Sequence, residues 1–120
     1  MKLKSLFESN YGNHIALDKE NCVGNKLPKD LPAIVIGYFN CSDVDITSLE
    51  GCPSKIGGTF ICGRNKLTSL EGCPSEIGGG FNCDVNKLTS LEGCPSEVSG
   101  DFYCNNNQIT SLKDIQRQIK

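Results

Sequence analysis

FICGRNKLTSLEGCPSEIGGGFNC, residues 60–83, decides how the rest of the chain is read. Its Phe60 and Cys62 return as Phe81 and Cys83, one 21-residue period later. Residues 62–82 and 83–103 agree at 15 of 21 positions, and residues 41–61 and 62–82 at 13 of 21. The shared unit is Phe-x-Cys-x-x-Asn-x-Leu-Thr-Ser-Leu-Glu-Gly-Cys-Pro-Ser-x-Ile-Gly-Gly. Cys41, Cys62, Cys83 and Cys104 mark one position of it, and Cys52, Cys73 and Cys94 another. A looser copy stands at Cys22-Val23-Gly24-Asn25-Lys26-Leu27, 19 residues before Cys41. A fixed period of roughly 20–29 residues is the signature of a solenoid, whose turns bury their apolar faces only against neighbouring turns.

Inside one unit the periodicity locates the strand. Phe60 and Cys62 alternate with Thr59, Ile61 and Gly63, the two-residue rhythm of an extended segment. Phe39/Cys41, Phe81/Cys83 and Phe102/Cys104 repeat it. Asn65, Leu67 and Leu70 then keep pointing inward, and Gly72-Cys73-Pro74-Ser75 forces a corner. Gly78-Gly79 lets the backbone return to the next strand. No stretch inside a unit sustains a helical period. The expected fold class is therefore a mostly-β solenoid of the α/β type, with a parallel sheet of about five strands on one side and irregular or 3-10 backbone on the other.

The pattern Phe-x-Cys-x-x-Asn-x-Leu-Thr-Ser-Leu resembles the leucine-rich repeat signature. Its continuation and short period are most similar to the class found in secreted bacterial effector proteins. Here Glu71-Gly72 stands where that class has proline, and cysteine replaces a leucine. The resemblance spans roughly residues 20–110 and implies a scaffold that binds partner proteins on a concave sheet face. It also implies an effector or inhibitor, bacterial or viral, of a host enzyme or defence factor.

Residues 1–19 are read as an N-terminal cap, 20–110 as the repeats of a single domain, and 111–120 as a C-terminal cap. In the first, Leu3, Leu6, Phe7, Ile15 and Leu17 supply apolar groups. In the last, Ser111 and Asp114 resemble a capping box, and Leu112, Ile115 and Ile119 form the stripe of a short helix.

Eight cysteines allow three readings: disulfides, a metal site, or packing. Zinc ligands come in pairs about two to four residues apart, whereas the gaps here alternate between 11 and 10. Stacked strands bring equivalent residues within disulfide range, but side chains in a parallel ladder point side by side rather than towards one another. Packing is favoured, because free cysteine behaves as a small, readily buried hydrophobe. No signal peptide is read at the start, which points to a reducing, cytoplasmic setting. The asparagines at 25, 65, 86 and 107 form a second ladder, suited to satisfying backbone groups at each turn. Val44 interrupts it, so that turn should bend differently.

Charge excludes some functions. Twelve Lys+Arg against 14 Asp+Glu give a net −2, unlike the basic surplus of a nucleic-acid binder. No apolar run approaches the ~18 residues of a membrane-spanning helix. Catalysis finds little to work with. His14 falls in the cap region, Ser48, Ser69 and Ser90 recur with the period, and Gly78-Gly79-Gly80 lacks the lysine of a phosphate loop. No enzyme activity, cofactor or metal is expected.

Alternation places Tyr38, Asn40 and Ser42, Thr59, Ile61 and Gly63, Gly80, Asn82 and Asp84, and Asp101, Tyr103 and Asn105 on the outer face of the sheet. Arg64 lies at the strand exit. These positions vary while the core repeats, as a binding scaffold requires. Tyr38, Ile61 and Tyr103 are the candidate anchors, since aromatic and apolar side chains dominate interface hot spots. The expected function is a non-enzymatic module, monomeric or weakly self-associating, that binds another protein through this face. The alternatives are a self-assembling structural protein, or a binder of a small ligand or nucleotide around Asn82, Asp84 and Tyr103. Glu50, Glu71 and Glu92 stack into an acidic column, and Lys66 and Lys87 into a basic one. Both serve as a solvated rim or, for the acidic column, as a ridge facing a basic partner.

Overall fold

The computed structural model describes residues 14–110, which wind as successive coils with two parallel sheets. One sheet, A, holds five strands in the order β1 (Ile15–Ala16), β3 (Phe39–Asn40), β5 (Phe60–Ile61), β7 (Phe81–Asn82) and β9 (Phe102–Tyr103). The other, B, holds β2 (Ile34–Val35), β4 (Lys55–Ile56), β6 (Glu76–Ile77) and β8 (Glu97–Val98). Every strand is two residues long, so the ladder between coils, not length along the strand, defines each sheet. From β3 onward the register advances by one unit: Phe39 pairs with Phe60, Phe60 with Phe81, and Phe81 with Phe102.

Each coil sends its apolar side chains inward from three sides. Sheet A contributes Phe39/Cys41, Phe60/Cys62 and Phe81/Cys83, all at 0% exposure. Sheet B contributes Val35, Ile56 and Ile77, and the stretch between them contributes pairs such as Leu67/Leu70 and Leu88/Leu91. The phenylalanines line the axis with ring centroids 5.7, 5.3 and 4.9 Å apart, the first two pairs stacked and the last, Phe81 and Phe102, tilted by 56°. Burial of each such side chain contributes roughly 1.5–3 kcal/mol.

Sheet B corrects the expectation of irregular or 3-10 backbone on the second side. Three-ten helix appears among the described residues only in the first coil, at Lys19–Asn21 and Val23–Asn25. Elsewhere one buried β-branched residue per coil and a ladder such as Gly57 N–H to Val35 C=O make a second sheet instead. The corner between the sheets is tight. A Cβ on Gly57 would collide with the carbonyl of Ile36, and one on Gly78 with that of Gly57, so neighbouring coils touch there backbone to backbone. The other corner needs a left-handed residue: Gly72 has φ 91°, and its counterparts Gly51 and Gly93 have 88° and 89°.

The first coil also departs from expectation. Cys22 is not a strand cysteine, since β1 lies at Ile15–Ala16 and Ile15 pairs with Phe39, an offset of 24. Leu17, whose N–H donates to the Asn40 carbonyl, occupies the inward place that Cys41 takes in the next coil. Leu31-Pro32-Ala33 likewise precedes Cys52-Pro53-Ser54, with Ser54 N–H donating to Ala33 C=O. Leucine stands where later coils carry cysteine, and Cys22, Cys41, Cys62 and Cys83 are buried in the core while Cys52, Cys73, Cys94 and Cys104 are partly buried against it. The proposed C-terminal helix 111–120 and the residues 1–13 of the N-terminal cap lie outside the described residues.

The asparagine ladder does its expected work. Asn65 accepts from the N–H of Val44 and Ile46, and its amide donates to the Cys41 and Cys62 carbonyls. Asn86 and Asn107 repeat the pattern one and two coils on. Asn25 does not belong to it: it is exposed, with φ 63°, and its side-chain amide donates to the Asp45 C=O. At Val44 the turn does bend differently, with Asp43 and Asp45 both left-handed at φ 56° and 60°. The recurring serines are structural, since Ser48, Ser69 and Ser90 each accept from the backbone N–H two residues on.

Candidate protein-binding face

Sheet A turns three columns of side chains outward. The first is Tyr38, Thr59, Gly80 and Asp101; the second follows the register through Ala16, Asn40, Ile61, Asn82 and Tyr103. The third, Ser42, Gly63, Asp84 and Asn105, closes the face where the strands end. The residues named from alternation are thus brought onto one surface, while their inward neighbours repeat.

The N-terminal end of the face is aromatic. Tyr38, 39% exposed, stacks on His14 with centroids 4.1 Å apart and rings 13° from parallel. Its backbone N–H donates to His14 Nδ1 at 3.0 Å. Sequence reasoning placed His14 in a cap and missed this pairing, because the offset of the first coil hides it. The C-terminal end is acidic and polar. Tyr103, 46% exposed, donates its hydroxyl to Asp101 Oδ2 at 3.1 Å, and that carboxylate pushes the phenol pKa up. Asp84 Oδ1 accepts from the Asn105 N–H at 2.6 Å.

Several of the named residues spend polar atoms on the fold. Asn40 Oδ1 accepts from both the N–H and the hydroxyl of Ser42, and Asn82 Oδ1 accepts from the Asp84 N–H. These are side-chain turns that end the strand, a habit of asparagine. Gly63 is buried, because a Cβ there would press within 3.1 Å of Asn82 Oδ1. Arg64 lies beyond the strand alternation, exposed at φ 57°, in the left-handed position that Asp43, Val85 and Asn106 take in other coils. It belongs to the rim rather than to a column of the face.

The core beneath is chemically quiet. Burial pushes the thiols of Cys52, Cys62 and Cys73 well above the ordinary range, and neighbouring thiols add to the effect. Among the described residues no group of three or more His, Cys, Asp or Glu is placed to hold a metal ion. No helix among them is long and apolar enough to cross a membrane. Sequence reasoning also missed the outer face of sheet B, where Ile34, Lys55, Glu76 and Glu97 form an outward column. The available signal was the alternation in Lys55-Ile56, Glu76-Ile77 and Glu97-Val98 immediately before Gly-Gly or Ser-Gly. Comparison of the chain with protein-family models, with curated proteins and with solved structures finds no match in any of the three.

Proposed function

We propose that the protein is a non-enzymatic interaction module of the leucine-rich repeat type, binding a partner protein through the outer face of sheet A. The observation that carries this reading is the contrast between the two sides of that sheet. Inward, the register stacks Phe on Phe; outward, the paired column changes from Asn40 to Ile61 to Asn82 to Tyr103. Packing alone would leave the outer column free to drift towards uniformly charged residues, yet it keeps Ile61 and Tyr103, with Tyr38 alongside. Tyr38, Ile61 and Tyr103 serve as anchors, while Asn40, Ser42, Thr59, Asn82, Asp84, Asp101, Asn105 and the rim residue Arg64 set orientation. The cysteines buried in the core, Cys22, Cys41, Cys62 and Cys83, suit a reducing, cytoplasmic setting. A host enzyme or defence factor is the partner class that the repeat resemblance implies.

Affinity capture from host-cell lysate, comparing wild type with a Tyr38→Ala/Ile61→Ala/Tyr103→Ala variant of unchanged circular dichroism, tests the face. The reading expects one or more proteins retained by wild type and lost by the variant. Identical captured sets would show that this face is not the binding surface.

A further inference from the structure

The outer face of sheet B is exposed and lies apart from the outer face of sheet A. A shallow groove of about 320 Å³ crosses four coils there. One wall is the outward column Ile34, Lys55, Glu76 and Glu97. The floor runs along Ile36, Gly57, Gly78 and Ser99, where the corner forbids a Cβ on the two glycines. Packing explains the glycines, and an open channel alongside backbone follows from them.

The groove has two chemically distinct ends. At the N-terminal end Ile34 and Ile36 are 49% and 67% exposed, a pair of β-branched side chains left in water. At the C-terminal end Glu76 and Glu97 sit in register on adjacent strands. Lys55 reaches Glu76 at 3.6 Å across a half-exposed gap, a pairing of little energetic weight. Among the described residues Glu97 forms no ion pair, and Lys55 lies one strand from Glu76 but two from Glu97, so the lysine leaves the Glu97 carboxylate uncompensated. A cation placed between Glu76 and Glu97 would pair with that charge, and an apolar group at the other end would cover the isoleucines.

We infer that this groove docks an extended peptide segment of a partner, with a basic side chain between Glu76 and Glu97 and an apolar side chain on Ile34 and Ile36. The spacing follows from the sheet. From the isoleucines to the midpoint of the two glutamates is two to three strand steps, about 12 Å at ~4.8 Å per step. An extended peptide advancing ~3.3 Å per residue covers this in about four residues, and residues four apart share a face. The motif is thus arginine or lysine and a large aliphatic residue four positions apart.

Fluorescence anisotropy with two labelled peptides tests this. One carries arginine then leucine four positions apart in a serine background, and the other carries the pair in reverse order. At least one should bind wild type saturably. Binding should weaken by about tenfold or more in Glu76→Gln/Glu97→Gln and by several-fold in Ile36→Ser, fall with added salt, and persist in Tyr103→Ala. All substituted positions are exposed, and circular dichroism checks that each variant folds. No saturable binding of either peptide, or undiminished binding by Glu76→Gln/Glu97→Gln, overturns the inference. Light scattering without peptide provides a further check. Association of the protein with itself that Ile36→Ser disperses would make a second copy the occupant and overturn the peptide assignment.

Discussion

Raising the pH should unfold this protein through its core thiols. Burial pushes Cys41, Cys52, Cys62, Cys73 and Cys83 well above the ordinary value of 9.0. Since each folded pKa exceeds the unfolded one, the associated stability is complete below pH 9 and drains away as pH rises, because only the unfolded chain releases these protons. Each thiol then contributes a loss of about 1 kcal/mol by pH 10, and the five together several kcal/mol. A domain of this size has roughly 5–15 kcal/mol in all, so the effect is decisive. Urea unfolding followed by circular dichroism, under a phosphine reductant, measures it between pH 7 and 10. The variant Cys62→Ala sharpens the test. Deleting one buried methyl-sized group costs about 1 kcal/mol at pH 7, but removes one of the five titrating sites. The stability curves of wild type and variant should therefore converge and meet near pH 10. Wild-type stability unchanged from pH 8 to 10, or a variant deficit that does not narrow, would refute the picture of thiols as buried filler.

Other consequences are smaller and equally direct. Val85 is a β-branched residue held at φ 58°, so Val85→Asn should raise stability by about 1 kcal/mol in the same urea assay, Asn106 showing that the position accepts asparagine. Asn65→Leu strands the N–H groups of Val44 and Ile46 and the carbonyl of Cys41, while the Cys62 carbonyl keeps its bond from Asn86, and should cost at least about 3 kcal/mol. Asp101→Asn removes the carboxylate that raises Tyr103, so in an ultraviolet titration that phenol should ionise at lower pH, towards ~10. In wild type the Tyr103 hydrogen bond persists below its raised pKa and is lost above it, so an unchanged titration in the variant would place Asp101 elsewhere.

What could be read from the residues alone followed from how many core side chains each element contributes. Sheet A was legible because Phe60 and Cys62 set a two-residue rhythm that three further units repeat. Sheet B was far harder to read, because each of its strands holds one inward residue, such as Ile56, so its alternation spans a single pair. Cys22-Val23-Gly24-Asn25 matched the motif in letters but not in place. The true strand at Ile15–Ala16 carries leucine where the motif carries cysteine, and similarity of composition outweighed geometry. The columns of the candidate face followed from alternation, and the structure keeps them together. Which polar atoms remain available did not follow, since Asn40 and Asn82 turn their carbonyl oxygens onto their own backbone. Arg64 fell off the face because one left-handed residue ends the alternation.

The constant register from β3 onward has a bearing on how long such a molecule can be. Excising residues 62–82 would bring Phe102 beside Phe60 in the same register, and duplicating them would add another rung. The pairing of Ile15 with Phe39 has no such twin, so the opening coil is the fixed foundation and everything after it is stock that can be lengthened or trimmed by whole units. Each added unit would bring its own outward residues to both exposed walls, letting recognition grow without redesigning the interior.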